Sequence, residues 1–239
     1  MTIPDPVYPD SPQPPREPVF NVPLVILATL LVLAAIHGLR EYILSREAGL
    51  ELLIRFAFIP SRYMDEALAA FSPLALYWSP LSYSLLHSDW THLLVNGFWL
   101  LAFGGVVANR IGTLRFVGLF IAGAVGGAML HYLAYPADNV PMIGASASVS
   151  AFVGAAVRFA FPSGRSFVRD ASQLPRQSLV QAFSNRQVLI FVGIWFAINL
   201  FVGTGAIDID GSGNTVAWQA HIGGFLIGLL CFSLFDRRQ

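Results

Sequence analysis

Apolar residues in this chain fall in long unbroken runs rather than at the intervals of an amphipathic helix or a half-buried strand. Six runs approach the roughly 20 apolar residues a helix needs to cross a bilayer core. They cover residues 22–44, 90–108, 111–135, 145–161, 187–203 and 216–235, and the fourth is short, with Gly144 just before it. The pattern predicts an all-α membrane protein, a bundle of six transmembrane helices occupying 22–239. Residues 1–21, rich in proline and acidic side chains, lack the charged-then-apolar order of a cleaved signal and read as a disordered tail.

Two connections are long. Residues 45–89 are apolar but interrupted by Pro60, Pro73 and Pro80 and carry charge, which suits short helices lying at the interface better than a further span. Residues 162–186 are polar and basic. Basic loops stay in the cytoplasm, so Arg110, Arg115, Arg165, Arg169, Arg176 and Arg186 place both termini on that side. Arg40, Arg46, Arg55 and Arg62 fall on the other side, among acidic residues that include Asp208 and Asp210. That asymmetry fits a bacterial inner membrane. On this orientation the run beginning at Gly144 starts at the outer side, and His221 lies at a similar depth in the last span.

Composition agrees with the pattern: 55% of the 239 residues are hydrophobic, 12% are charged, and mean hydropathy is +0.63. Net charge is zero and the scattered arginines form no patch that could track phosphates, so nucleic acid is excluded as a partner. The single cysteine, Cys231, lies in an apolar run with no second thiol for a disulfide, and no metal site is implied.

Polar residues inside spans are costly there and mark candidate chemistry. His92 and Asn96 in "HLLVN" are four apart and share a helical face, as do Ser146, Ser150 and Gly154. In "AHIGGFLIGLL", Gly224 and Gly228 follow His221 on one face. Facing stripes of small residues let two helix backbones approach closely, which would bring a serine hydroxyl within reach of an imidazole. A neutral imidazole is the base a serine nucleophile requires. The oxyanion formed on attack needs donors, which the side chains of His92 and Asn96 and the backbone N–H groups of Ala145 and Ser146 at a helix start are placed to give. Asp89 and Asp138 lie outside the spans, so a Ser–His dyad is the economical reading.

Taken singly, each of these residues has a simpler explanation. A serine in a small-residue helix usually packs or bonds back to its own backbone, and Ser148 and Ser150 are read that way. Asn199 is expected to bond a neighbouring helix. His37 and His131 sit near span ends and read as interfacial, solvated or locally bonded. Phe191, Trp195 and Phe196 form an aromatic stripe that is either lipid-facing or core.

Together, "HSDWTHLLVNGFWLLAFG", "GASASVSAFVGA" and "AHIGGFLIGLL" resemble the three signature segments of the rhomboid intramembrane serine proteases, in the family's order. The resemblance implies Ser146 as nucleophile, His221 as general base, His92 and Asn96 as oxyanion donors, and a structural role for His87. Gly144, Gly224 and Gly228 are the structural glycines near the site. It also implies that the substrates are transmembrane segments of other proteins, met within the lipid bilayer, and that no cofactor takes part. Two departures stand out: Ser79 follows Trp78 where the family often has a Trp-Arg pair, and Ala147 follows the serine where many members have glycine. The competing readings are a catalytically silent relative that only holds client helices, and a small transporter. The first usually lacks the serine or the histidine, and the second needs polar residues along a path from both sides.

Overall fold

The computed structural model describes residues 22–161, 171–204 and 217–237. The expected tail and the "AIDIDG" loop lie outside the described residues, as does part of the basic connection.

Helix α1 (Leu24–Tyr42) is the first span. The connection that follows folds into short helices, as its prolines and charges predict: α2 (Arg46–Phe56), α3 (Glu66–Phe71) and α4 (Ala75–Ser82). Single turns of 3-10 helix precede α3 and follow α4, at Pro60–Tyr63 and Tyr83–Leu85. Ser45 caps α2 and Asp65 caps α3 through side-chain oxygens that take up free backbone N–H groups. The second span, Trp90–Ile111, runs as α5 (Trp90–Trp99), a π-helical turn at Leu100–Gly104, and α6 (Gly105–Ile111). Helix α7 (Thr113–Ala134) is the third span. Helix α8 (Ser146–Val157) is followed by α9 (Leu179–Ser184), α10 (Arg186–Gly203) and α11 (Trp218–Phe235).

The described residues thus hold five helices long and apolar enough to cross a membrane, where six spans were expected. The fourth run forms a 12-residue helix, α8, rather than a 17-residue one. At 1.5 Å per residue it is about 18 Å long against a hydrocarbon core of about 30 Å. Its C-terminal end is set by Arg158, which donates from Nη1 to the Leu229 carbonyl (2.7 Å) and from Nε to the Gln177 carbonyl (3.0 Å). Every residue of α8 after Ser146 is buried, so an apolar helix too short to span the bilayer forms the axis of the fold.

Helices α7 and α11 pack on α8 and on each other, and small residues allow it. A Cβ on Gly224 would lie 1.9 Å from the Ala147 carbonyl oxygen, and one on Gly228 would lie 1.8 Å from that of Ala151. These are backbone-to-backbone contacts with no room for a methyl group. The methyl of Ala147 itself is received by α7, where a Cβ on Gly127 would sit 2.5 Å from it. Ala147, where the family it resembles often has glycine, is therefore accommodated by a glycine on the facing helix.

Two clamps hold the ends of the bundle. At the C-terminal end of α11, the buried Arg110 donates to Asp236 Oδ2 through Nε and Nη2 (3.0 and 2.9 Å), while its guanidinium lies 4.5 Å from the centre of the Phe159 ring. At the opposite end, Phe58 and Met142 exchange backbone hydrogen bonds, and Tyr83 accepts from the Gly144 N–H through its carbonyl (3.0 Å). The first connection is thereby tied to the segment that leads into α8. Trp78 Nε1 donates to the Arg55 carbonyl (2.9 Å). Although no arginine follows Trp78, the connection contains a buried one: Arg62 is 1% exposed and donates to the carbonyls of Ala57 and Ile54.

Candidate active site

Ser146 is the first residue of α8, and His221 lies in the first turn of α11. The close approach of these helices puts the Ser146 hydroxyl 2.7 Å from His221 Nε2. Both residues are half-buried. The amide of Ser146 belongs to the first turn of α8 and has no carbonyl one turn earlier in the helix to receive it.

Gly144 turns the chain into this position. Its φ of +121° is one that residues with a side chain rarely adopt, and a Cβ there would stand 2.7 Å from both Cε1 and Nε2 of His92. The same position would be 3.7 Å from Ser146 Oγ, so the edge of His92 and the serine hydroxyl are separated by little more than this glycine. His92 is in turn fixed from outside. Ser88 Oγ gives its one proton to Asp89 Oδ2 (2.6 Å), and so acts as acceptor toward His92 Nδ1 (3.1 Å). Asp89 also caps α5, its Oδ1 accepting from the His92 N–H (2.8 Å).

Asn96 lies one turn further along α5, buried, and donates one amide proton to the His92 carbonyl (3.1 Å). A primary amide has two, so a second remains for another acceptor. The Ala145 N–H departs from the expectation that it joins the oxyanion donors. It points to His87 Nε2 at 3.5 Å, the long end of a hydrogen bond, because that fully buried ring sits against it. Burial pushes the His87 imidazole down to about 3, and the neighbouring His92, His37 and Arg40 act in the same direction. His87 is accordingly a neutral acceptor, its ring edge-on to His92 with centroids 5.1 Å apart.

The other serines pack. Ser148 Oγ donates to the Phe120 carbonyl on α7 (2.8 Å), and Ser150 Oγ bonds back to the Ser146 carbonyl (2.7 Å). His37 and His131, near their span ends as expected, are buried within the protein rather than solvated. His37 stands edge-on to Trp90 at 4.8 Å, and His131 Nε2 lies 3.5 Å from Asp138 Oδ2. Of the aromatic stripe, Trp195 is core and stacks on Phe225 at 4.9 Å, whereas Phe196 is exposed.

Asn199, expected only to bond some neighbouring helix, makes contact with the site itself. Its Oδ1 meets His221 Nδ1, and its Nδ2 donates to the Trp195 carbonyl (2.7 Å). An asparagine in a span signals a hydrogen bond without naming the partner, so its spacing from the other candidates carried no warning of this contact.

Residues 75–238 match the Rhomboid domain family. Among curated proteins, the chain is 26% identical over 154 residues to "Rhomboid protease GlpG" of Haemophilus influenzae, covering 64% of this chain and 67% of that protein. It is also 26% identical over 161 residues to "Rhomboid-like protease 1" of Toxoplasma gondii, covering 67% of this chain but only 47% of that one.

Proposed function

Because this chain belongs to the rhomboid family, whose members are intramembrane serine proteases, we propose that it hydrolyses peptide bonds in or beside the transmembrane segments of other membrane proteins, using Ser146 and His221 as a catalytic pair. The observation that carries this reading is the 2.7 Å contact between Ser146 Oγ and His221 Nε2, made across two different helices. His221 Nε2 removes the hydroxyl proton as Oγ attacks the scissile carbonyl, and returns it to the departing amine when the tetrahedral intermediate collapses to an acyl-enzyme. A water molecule, deprotonated by the same nitrogen, then releases the acid product and restores the serine.

Charge develops on the carbonyl oxygen during attack, and donors near the start of α8 meet it. The Ser146 N–H and the second amide proton of Asn96 are the donors in this reading, each worth about 2.7–4 kcal/mol of transition-state stabilisation. His92 donates to Ser88 through Nδ1, so its Nε2 carries a proton, and can contribute as a donor, only in the imidazolium form. His87 keeps the approach to α8 in place and does not take part in proton transfer.

A substrate helix has its carbonyls bonded internally, so a segment must unwind before one of them reaches Ser146. Small, helix-weakening residues at the cleaved bond suit that requirement. The protein is an integral membrane protein. The arginine distribution supports a bacterial inner membrane, both termini in the cytoplasm and the site toward the outer face.

A fluorophosphonate probe applied to the detergent-solubilised chain tests this directly. Labelling that vanishes in Ser146→Ala and falls sharply in His221→Ala is expected. Labelling that survives loss of Ser146 overturns the protease reading, and turnover of a transmembrane peptide by His221→Ala overturns the pair.

A further inference from the structure

Helix α10 turns one narrow stripe inward. Val188, Trp195 and Gly203 are its buried residues, and Asn199 lies on the same line, four residues after Trp195 and four before Gly203. Its neighbours Phe196, Ile198 and Leu200 are exposed. An amide in a lipid-facing stretch is costly unless satisfied. Asn199 is satisfied at both ends, by the Trp195 carbonyl and by the ring of His221.

Those two bonds decide the protonation of the base. A carbonyl accepts only, so the group facing Trp195 must be the amide nitrogen, and the atom facing His221 is the amide oxygen. An amide oxygen also accepts only, so His221 Nδ1 must carry the hydrogen. In a neutral imidazole that leaves Nε2 unprotonated, and Nε2 is the nitrogen 2.7 Å from the Ser146 hydroxyl. The three residues follow the nucleophile, base and orienting-group order of hydrolytic triads, with an amide in the third place.

We propose that Asn199 is a positioning residue that holds His221 in its Nδ1–H tautomer and points Nε2 at Ser146. The inference rests on the Ser146–His221 reading and adds to it a third partner supplied by α10. Among the described residues, no carboxylate is bonded to His221. Helix α8 has no charged residue, Arg186 begins α10, Asp236 follows the far end of α11, and His92 is the ionisable group that acts on His221. As the imidazolium forms, the amide oxygen accepts the Nδ1–H bond and stabilises the charge without moving.

Two measurements on the full chain test this, using Asn199→Ala and the near-isosteric Asn199→Leu. In turnover of a transmembrane peptide, kcat is expected to fall about 10–100-fold with KM unchanged, the scale seen when the partner orienting a metal-bound histidine is removed. In spectra of 15N-histidine-labelled protein at pH 8, wild-type His221 shows a protonated Nδ1 and an unprotonated Nε2, and both variants lose that preference. A role in packing alone would not move the tautomer. A wild-type His221 protonated on Nε2, or variants with unchanged kcat or an unchanged tautomer, overturn the inference. Wild-type labelling by fluorophosphonate that does not depend on Ser146 brings down the protease reading instead, so the two failures are distinguishable.

Discussion

Replacing Gly224 by alanine perturbs the distance between the two helices that carry Ser146 and His221. The added Cβ would be 1.9 Å from the Ala147 carbonyl oxygen, whereas real Cβ atoms essentially never approach closer than 3.0 Å. The obstructing atom is backbone of a helix buried along its length, so α11 has to retreat from α8 by about 1 Å or more. Gly224 is three residues from His221 and Ala147 adjoins Ser146, so the retreat is felt where the 2.7 Å contact is made. Stretched by about 1 Å, that contact passes the roughly 3.2 Å limit of a good hydrogen bond. Misplacement on this scale costs on the order of 100-fold in rate. The assay is kcat for a transmembrane peptide by purified Gly224→Ala, compared with Gly193→Ala. Gly193, on α10, has nothing within 4 Å of an added Cβ, and its variant should retain wild-type turnover. A Gly224→Ala protein that elutes as a folded monodisperse species with wild-type kcat would refute the reasoning, since α11 would then have yielded without disturbing the pair.

Gly144→Ala forces a side chain into a backbone with φ of +121° and against His92, so turnover is expected to drop at least tenfold while Ser146→Ala-dependent controls stay silent; kinetics on the purified variant check it. Arg110→Ala leaves Asp236 buried without its main partner and should lower unfolding stability by about 3–5 kcal/mol, read as a fall in thermal midpoint, with kcat of the folded fraction little changed because the clamp lies at the far end from Ser146. His87 is held neutral down to about pH 3 in the folded chain, against 6.5 when unfolded. The unfolded state therefore binds the proton first, and stability from this group is constant above pH 6.5 and declines as pH falls below it. Thermal midpoints between pH 8 and 5 should fall more steeply for wild type than for His87→Asn, and equal slopes would contradict the assignment.

Much of the site was legible because its residues are unusual where they stand. Ser146 and His221 were paired from small-residue stripes at four-residue spacing, and the contact that results is the one those stripes permit. Span limits were close for α1, α7, α10 and α11, since uninterrupted apolar runs leave few alternatives. What hydrophobicity could not express is where polar groups find one another. Asn199 reaches His221 only through the rotation of α10 against α11, and the Ala145 amide is taken by a ring 58 residues earlier in the chain. Burial of His37 and His131 likewise depends on neighbours brought by folding, Trp90 and Asp138. The early end of α8 has a visible signal in Arg158, a charge inside the apolar run 145–161 whose guanidinium reaches the Leu229 and Gln177 carbonyls.

The brevity of α8 has a consequence for how the protein meets its membrane. Helices shorter than the bilayer ordinarily make lipid thin or themselves shift to compensate. Helix α8 is walled off by α7 and α11, so lipid does not feel its length. The mismatch is internal, and the segment from Met142 to Ala145, pinned by backbone hydrogen bonds to Phe58 and Tyr83, leads the chain into α8. Bilayer thickness then acts on the site through the most exposed of the candidate spans, α1 and α10. Ser146 keeps its place within its own scaffold, and a change of host membrane alters how that scaffold sits rather than how far the serine is buried within it.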